Sequence, residues 1–99
     1  MITANVGALR HRASESPVLA RYTEVARILT GRPGAAPEDA AAWVGGLTET
    51  LSIPGLSAHG LTPADLEGAV AQSRKASSMR GNPVELTDEE LHAILEDAL

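Results

Sequence analysis

The stretch that most restricts what this chain can become is Leu86-Thr87-Asp88-Glu89-Glu90-Leu91, which follows a Gly81-Asn82-Pro83 break. The break ends whatever precedes it, and the residues after it spell a helix start. Thr87 is expected as the N-cap, and Glu90, three residues on, supplies the other half of a capping box. Leu86 and Leu91 are placed to close a hydrophobic staple across that cap. Asp88, Glu89 and Glu90 put three carboxylates in the first turn, where the helix dipole favours negative charge. This signal fixes where a helix begins and assigns no chemistry.

The same device stands earlier, in Leu61-Thr62-Pro63-Ala64-Asp65-Leu66, with Pro63 at the first helical position, where its missing N–H costs nothing. Other helices follow from spacing. Ile2, Val6 and Leu9 fall on one helix face, with no N-cap before them, so residues 1–12 are expected to be the end of a truncated helix. Arg10-His11-Arg12 closes that segment. The dipole favours cations there, and a phosphate site is the sharper alternative. Ser16-Pro17 opens a second helix that should stop at Gly31, with Val18, Tyr22, Val25 and Leu29 as its inward stripe. Tyr22 then reads as a packed ring rather than a catalytic phenol.

Gly31 to Ala36 is a loop by composition, and it lacks the Gly-x-x-x-x-Gly-Lys-Ser/Thr pattern of a phosphate loop. The next helix begins at Pro37-Glu38-Asp39 and is expected to turn Ala40, Trp43, Val44, Leu47 and Leu51 inward, with Thr48, Glu49 and Thr50 outside. Gly45-Gly46 inside it costs about 1 kcal/mol per glycine against alanine, so the pair is expected to admit a close helix neighbour or a bend. Residues 52–60 form a loop anchored by Ile53 and Leu56, in which a local turn accounts for His59. The helix from Pro63 to about Ser77 points Leu66, Ala69, Val70 and Ser73 inward. The last helix does so with Leu91, Ile94, Leu95 and Ala98, and His92 suits a surface pair with Asp88. No run alternates with period two. The expected fold is all-α, a compact bundle of four to five helices in a single domain over 1–99.

Ninety-nine residues can bury about 60–70% of the surface of their unfolded chain. There is no cysteine, hence no disulfide framework or thiolate metal site, and no run long and apolar enough for a membrane span. A cytoplasmic protein is the expectation. With Tyr22, Trp43 and no phenylalanine, the core must come from Leu, Val, Ile and Ala, which suggests a part that leans on another domain or subunit.

The formal net charge of -5 argues against nucleic acid as a partner. Five arginines face only Glu15 and Glu24 in residues 1–37, whereas residues 85–99 carry six acids and no cation. These charges read as solvated helix faces. His11, His59 and His92 share no metal-ligand spacing, there is no Gly-x-Ser-x-Gly elbow, and the carboxylates sit where capping explains them. Catalytic, cofactor-binding and metal residues are therefore expected to be none.

The order of Ala-Arg-Tyr-x-x-Val-Ala-Arg (20–27), Leu-Ser-Ile-Pro-Gly-Leu (51–56), Gly-Leu-Thr-x-x-Asp-Leu (60–66), Ser-Ser-Met-Arg-Gly-Asn-Pro (77–83) and Leu-Thr-Asp-Glu-Glu-Leu (86–91) resembles the C-terminal helical domain of the iron-containing, class III alcohol dehydrogenases, which are related to dehydroquinate synthase. The resemblance spans nearly the whole chain. It implies a C-terminal fragment of a larger two-domain oxidoreductase. In the intact enzyme an N-terminal nucleotide-binding domain holds NAD(P), while Fe2+ or Zn2+ on metal-bearing helices polarises the alcohol. The phosphate loop and the Asp-x-x-x-His and paired-His motifs are absent here, and none of the three histidines matches a ligand position. By the resemblance, Ser77, Ser78 and Met79 would border the substrate pocket. The missing domain and helices would be the partners, a homo-oligomer is open, and the chain alone should be inactive. The alternatives are a free-standing helical interaction module and, more remotely, a helix-turn-helix regulator, whose DNA the acidic C-terminal helices would repel.

Overall fold

The computed structural model describes residues 1–99 and is all-helical, without strands. Its α-helices are α1 (Ile2–Arg12), α2 (Pro17–Thr30), α3 (Pro37–Thr50), α4 (Leu66–Lys75) and α5 (Asp88–Glu96). Short 3-10 turns occupy Leu56–His59, Pro63–Asp65 and Ser77–Gly81. The chain groups into two compact units, Met1–Ile53 and Pro54–Leu99, each described by itself below.

In the first unit α1 is the most enclosed element, with Asn5, Val6, Ala8 and Leu9 buried. Two polar ties hold it. Asn5 Nδ2 donates to the Tyr22 hydroxyl on α2 at 3.0 Å, and the Arg10 guanidinium grips Glu38 on α3 through Nε and, at 3.0 Å, through Nη2. Tyr22 is therefore a half-buried ring whose oxygen accepts a hydrogen bond from a buried amide, a structural use of the phenol.

Helix α2 starts where Ser16 Oγ accepts from Val18 N at 3.3 Å and stops where Gly31 takes a left-handed φ of 68°. Its inward stripe differs by one residue from the expected one. Ala26 is fully buried and Val25 is 40% exposed. Val18, Tyr22, Ala26 and Leu29 keep to the helical period, and an alanine at the tightest point lets α3 come close. The cluster there is Ala26, Ala35 and Ala40, flanked by Ile2 and Leu29, so the closest packing is made by methyl groups.

Helix α3 departs most from expectation. Ala40 is buried, but Trp43, Val44, Leu47 and Leu51 are 38–60% exposed. Helix α1 has only eleven residues, about 16 Å of helix, and its tie to α3 is at Glu38, in the first turn. The later turns of α3 lack that second neighbour within the unit. Nor does the Gly45-Gly46 pair receive a close helix: a Cβ at either position would meet nothing within 4 Å, and α3 runs unbroken through both. Its end is a Schellman-type closure, with Ile53 N donating to Thr48 O at 3.1 Å and Ser52 N to Glu49 O at 2.9 Å. Ser52 stands in the left-handed region, φ 51°, where glycine is usual.

In the second unit the buried side chains are Leu66 and Val70 of α4, then Leu86 and Leu91 on either side of the α5 cap. The 3-10 turn Leu56–His59 is anchored to the last two residues, which follow α5. Leu56 N donates to Ala98 O at 2.7 Å, and Ser57 donates to Leu99 O through both N, at 3.3 Å, and Oγ. A Cβ at Gly55 would lie 2.4 Å from Leu99 O, so this docking requires glycine there. At the next helix only half of the expected box forms: Asp65 Oδ2 accepts from Thr62 N at 2.9 Å and from Oγ1 at 2.6 Å, while Asp65 N donates to Thr62 O instead of the hydroxyl. This helix opens as a 3-10 turn over Pro63–Asp65, continues as α4, and ends at Lys75, two residues short of the expected Ser77. Ala76, with ψ 132°, turns the chain out of the helix.

Candidate functional site

The sequence-derived candidates Ser77, Ser78 and Met79 fall in the second unit, in the 3-10 turn between α4 and α5. Two hydrogen bonds close this turn, from Met79 N to Ala76 O and from Asn82 N to Met79 O, each 3.1 Å long. Asn82 Nδ2 then donates to Val84 O at 2.7 Å, spanning Pro83 with its side chain. The α5 cap fixes the far side. Thr87 Oγ1 accepts from Glu90 N at 3.2 Å, and Glu90 Oε2 accepts from Thr87 N at 2.8 Å, a complete capping box.

One side chain binds these pieces together. Arg74, in the last turn of α4, pairs through Nε with Asp88, donates from Nη2 to Leu86 O at 3.3 Å, and has Glu85 at 3.9 Å from Nη1. The hydrogen bond to Asp88 holds the guanidinium above its ordinary range, with Glu85 and Glu89 adding to the effect. The sequence shows Arg74 as one of three cations before the Gly-Asn-Pro break. Its partner lies fourteen residues away across a turn, a separation that no helical spacing rule covers. The pairing also corrects the expected Asp88–His92 contact: Asp88 faces Arg74, and His92 Nδ1 lies 3.9 Å from Glu96.

Around Arg74 the surface forms a depression of about 310 Å3, lined also by Met79, Arg80, Asn82 and Glu85. Leu86 and Leu91 make its apolar floor. Of the three candidates, Met79 lines it, whereas Ser77 and Ser78 are exposed and do not. Arg80 is exposed at the rim and makes no ion pair.

The metal implied by the resemblance finds no donor set in this chain. No group of three or more His, Asp or Glu side chains is arranged so that it could hold a metal ion. His11 is at the end of α1, His59 in the 3-10 turn before Gly60, and His92 on α5. No helix is long and apolar enough to cross a membrane. In comparison with known proteins, the chain matches no family model, no curated protein and no solved structure.

Proposed function

We propose that this chain is the C-terminal helical portion of an iron-containing alcohol dehydrogenase-like oxidoreductase, and that by itself it neither binds NAD(P) nor turns over an alcohol. The observation that carries the reading is the ordered run of five sequence pieces from Ala20 to Leu91, and in particular Ser77 to Leu91. An all-helical chain whose helix breaks and starts coincide with the last four of those pieces, the first lying inside α2, supports it. So does the depression at Met79, which suits a stretch that walls one side of a substrate cleft. The resemblance assigns the metal and the nicotinamide to metal-bearing helices and a nucleotide-binding domain whose motifs are not in this sequence, and these are the partners the reading requires.

The gene sequence upstream of Met1 tests it. An open frame with a Gly-Gly-Gly-Ser phosphate loop and the Asp-x-x-x-His and paired-His motifs is the expected result. A stop codon and ribosome-binding site immediately before Met1 would overturn the reading. The purified 99-residue chain, given Fe2+ or Zn2+, NAD(P) and a panel of alcohols, should show no nicotinamide-dependent rate. A second reading, a helical interaction module without enzymatic activity, is favoured by the exposed Trp43, Val44, Leu47 and Leu51 on α3. Stable self-association of the isolated chain, with no partner gene, would select it.

A further inference from the structure

We infer that the groove between α4 and α5 is a docking site for a cationic amphipathic helix. This rests on neither reading above. The groove lies wholly within the second unit and encloses about 730 Å3. Its floor is Val70, Ala71 and Ala93, apolar and small. Alanines at a helix contact allow interaxial distances at the short end of the usual 8–10 Å, so another helix can lie along the trough. Both walls are helices and the fold has no sheet edge, which rules out an added strand. Helix α4 has ten residues, so the trough is about 15 Å long, enough for roughly three helical turns.

The rim sets the sign of the occupant. The Arg74–Asp88 pair joins the end of α4 to the start of α5, and Leu95 near the end of α5 lines a hollow with Gly68 and Ala69 near the start of α4, so the two helices run antiparallel and the groove has two unlike ends. At one end stand Glu67 and Glu96. Glu67 has no cation beside it, and Glu96 has only the His92 imidazole at 3.9 Å. At the other end stand Lys75 and Glu89, one of each sign, and Asp88 is already paired with Arg74. The second unit as a whole carries eight acids against Arg74, Lys75 and Arg80. A helix with alanine- to leucine-sized residues on one face complements this groove when its lysines or arginines are concentrated toward the Glu67–Glu96 end.

The test is a titration of the 15N-labelled 99-residue chain with a blocked amphipathic peptide of roughly 14 residues, long enough to span the trough. The peptide carries Ala and Leu on one face and Lys near one end, and a matched peptide carries Glu in place of Lys. Saturable amide shifts confined to residues 66–75 and 88–96 are expected with the Lys peptide and not with the Glu peptide. Ala93 is exposed, so Ala93→Tyr should leave the circular dichroism spectrum unchanged while blocking the trough at constant charge, and it should weaken binding about tenfold or more. The double variant E67Q/E96Q should weaken binding about threefold or more and flatten its salt dependence. Asp97→Asn removes a charge outside the groove and should change nothing. Shifts elsewhere on the protein, equal binding of the two peptides, or an Ala93→Tyr protein that is folded and binds as well as the parent would each overturn the inference. So would the absence of saturable shifts up to the solubility limit of the peptide.

Discussion

Thr87 shows how far a single residue can be read. Its hydroxyl and the Glu90 carboxylate satisfy each other's backbone amides, as the Thr-x-x-Glu pattern requires. That chemistry is local, so four residues specify it. Thr87→Ala removes one acceptor and should lower the unfolding free energy by about 0.5–2 kcal/mol, with Thr87→Ser close to neutral, both read by urea denaturation. Ala36 is the converse case. It has the extended backbone of an N-cap, φ -94° and ψ 162°, and its amide donates to Asp39 Oδ2 at 2.8 Å. With no side-chain oxygen of its own, it completes only half of a box. Ala36→Ser should supply the missing acceptor and raise stability by about 1 kcal/mol in the same assay. A loss of stability would show that Ala36 is held by packing instead. Arg74 was not legible at this scale, because its pairing depends on how a turn folds back and not on any fixed offset.

At the scale of elements, periodicity placed five α-helices, and capping residues gave most of their starts. Which face is buried was read less well. On α2 the apolar spacing runs through Val25, yet close approach to α3 selects the smaller Ala26 at the contact. On α3 the stripe from Trp43 to Leu51 has the right spacing for burial, but spacing says only that a face is apolar, not that the chain itself covers it. Gly45 and Gly46 belong to the same misreading, since no neighbour approaches either. The helix therefore bears the cost of glycine without a packing gain inside its own unit. Gly46→Ala should raise the thermal unfolding midpoint, by about 0.5–1 kcal/mol of stability. A decrease would mean that another helix needs the space, in an assembly of two or more copies.

The whole molecule is charged unevenly, and the sign of its pH dependence follows from a few caps. Residues 1–53 hold five arginines and five acids, while residues 54–99 hold eight acids and three cations. Three carboxylates are held below the ordinary range in the folded state. Glu38 is lowered first by its hydrogen bond from Arg10, Asp39 by the Ala36 amide and then by Arg32, and Asp65 by the Thr62 hydroxyl and amide. A carboxyl whose folded pKa lies below its unfolded value takes up its proton later in the folded chain than in the unfolded one. Its stabilisation is complete above the unfolded value of about 4 and is lost as pH falls through the lower folded value. Repulsion among the acids of residues 54–99 acts the other way, because protonation relieves it. Those charges are mostly exposed, and at about 0.15 M salt they are screened beyond roughly 8 Å, whereas the capping carboxylates act through direct hydrogen bonds. The denaturation midpoint at that salt should therefore fall as the pH is lowered from 5 toward 3. Asp65→Asn keeps an oxygen acceptor for Thr62 but cannot titrate, so its profile should be shallower than the parent's over that range. A midpoint that rises on acidification would show that self-repulsion outweighs the caps, and would make charge relief the dominant electrostatic term in this protein.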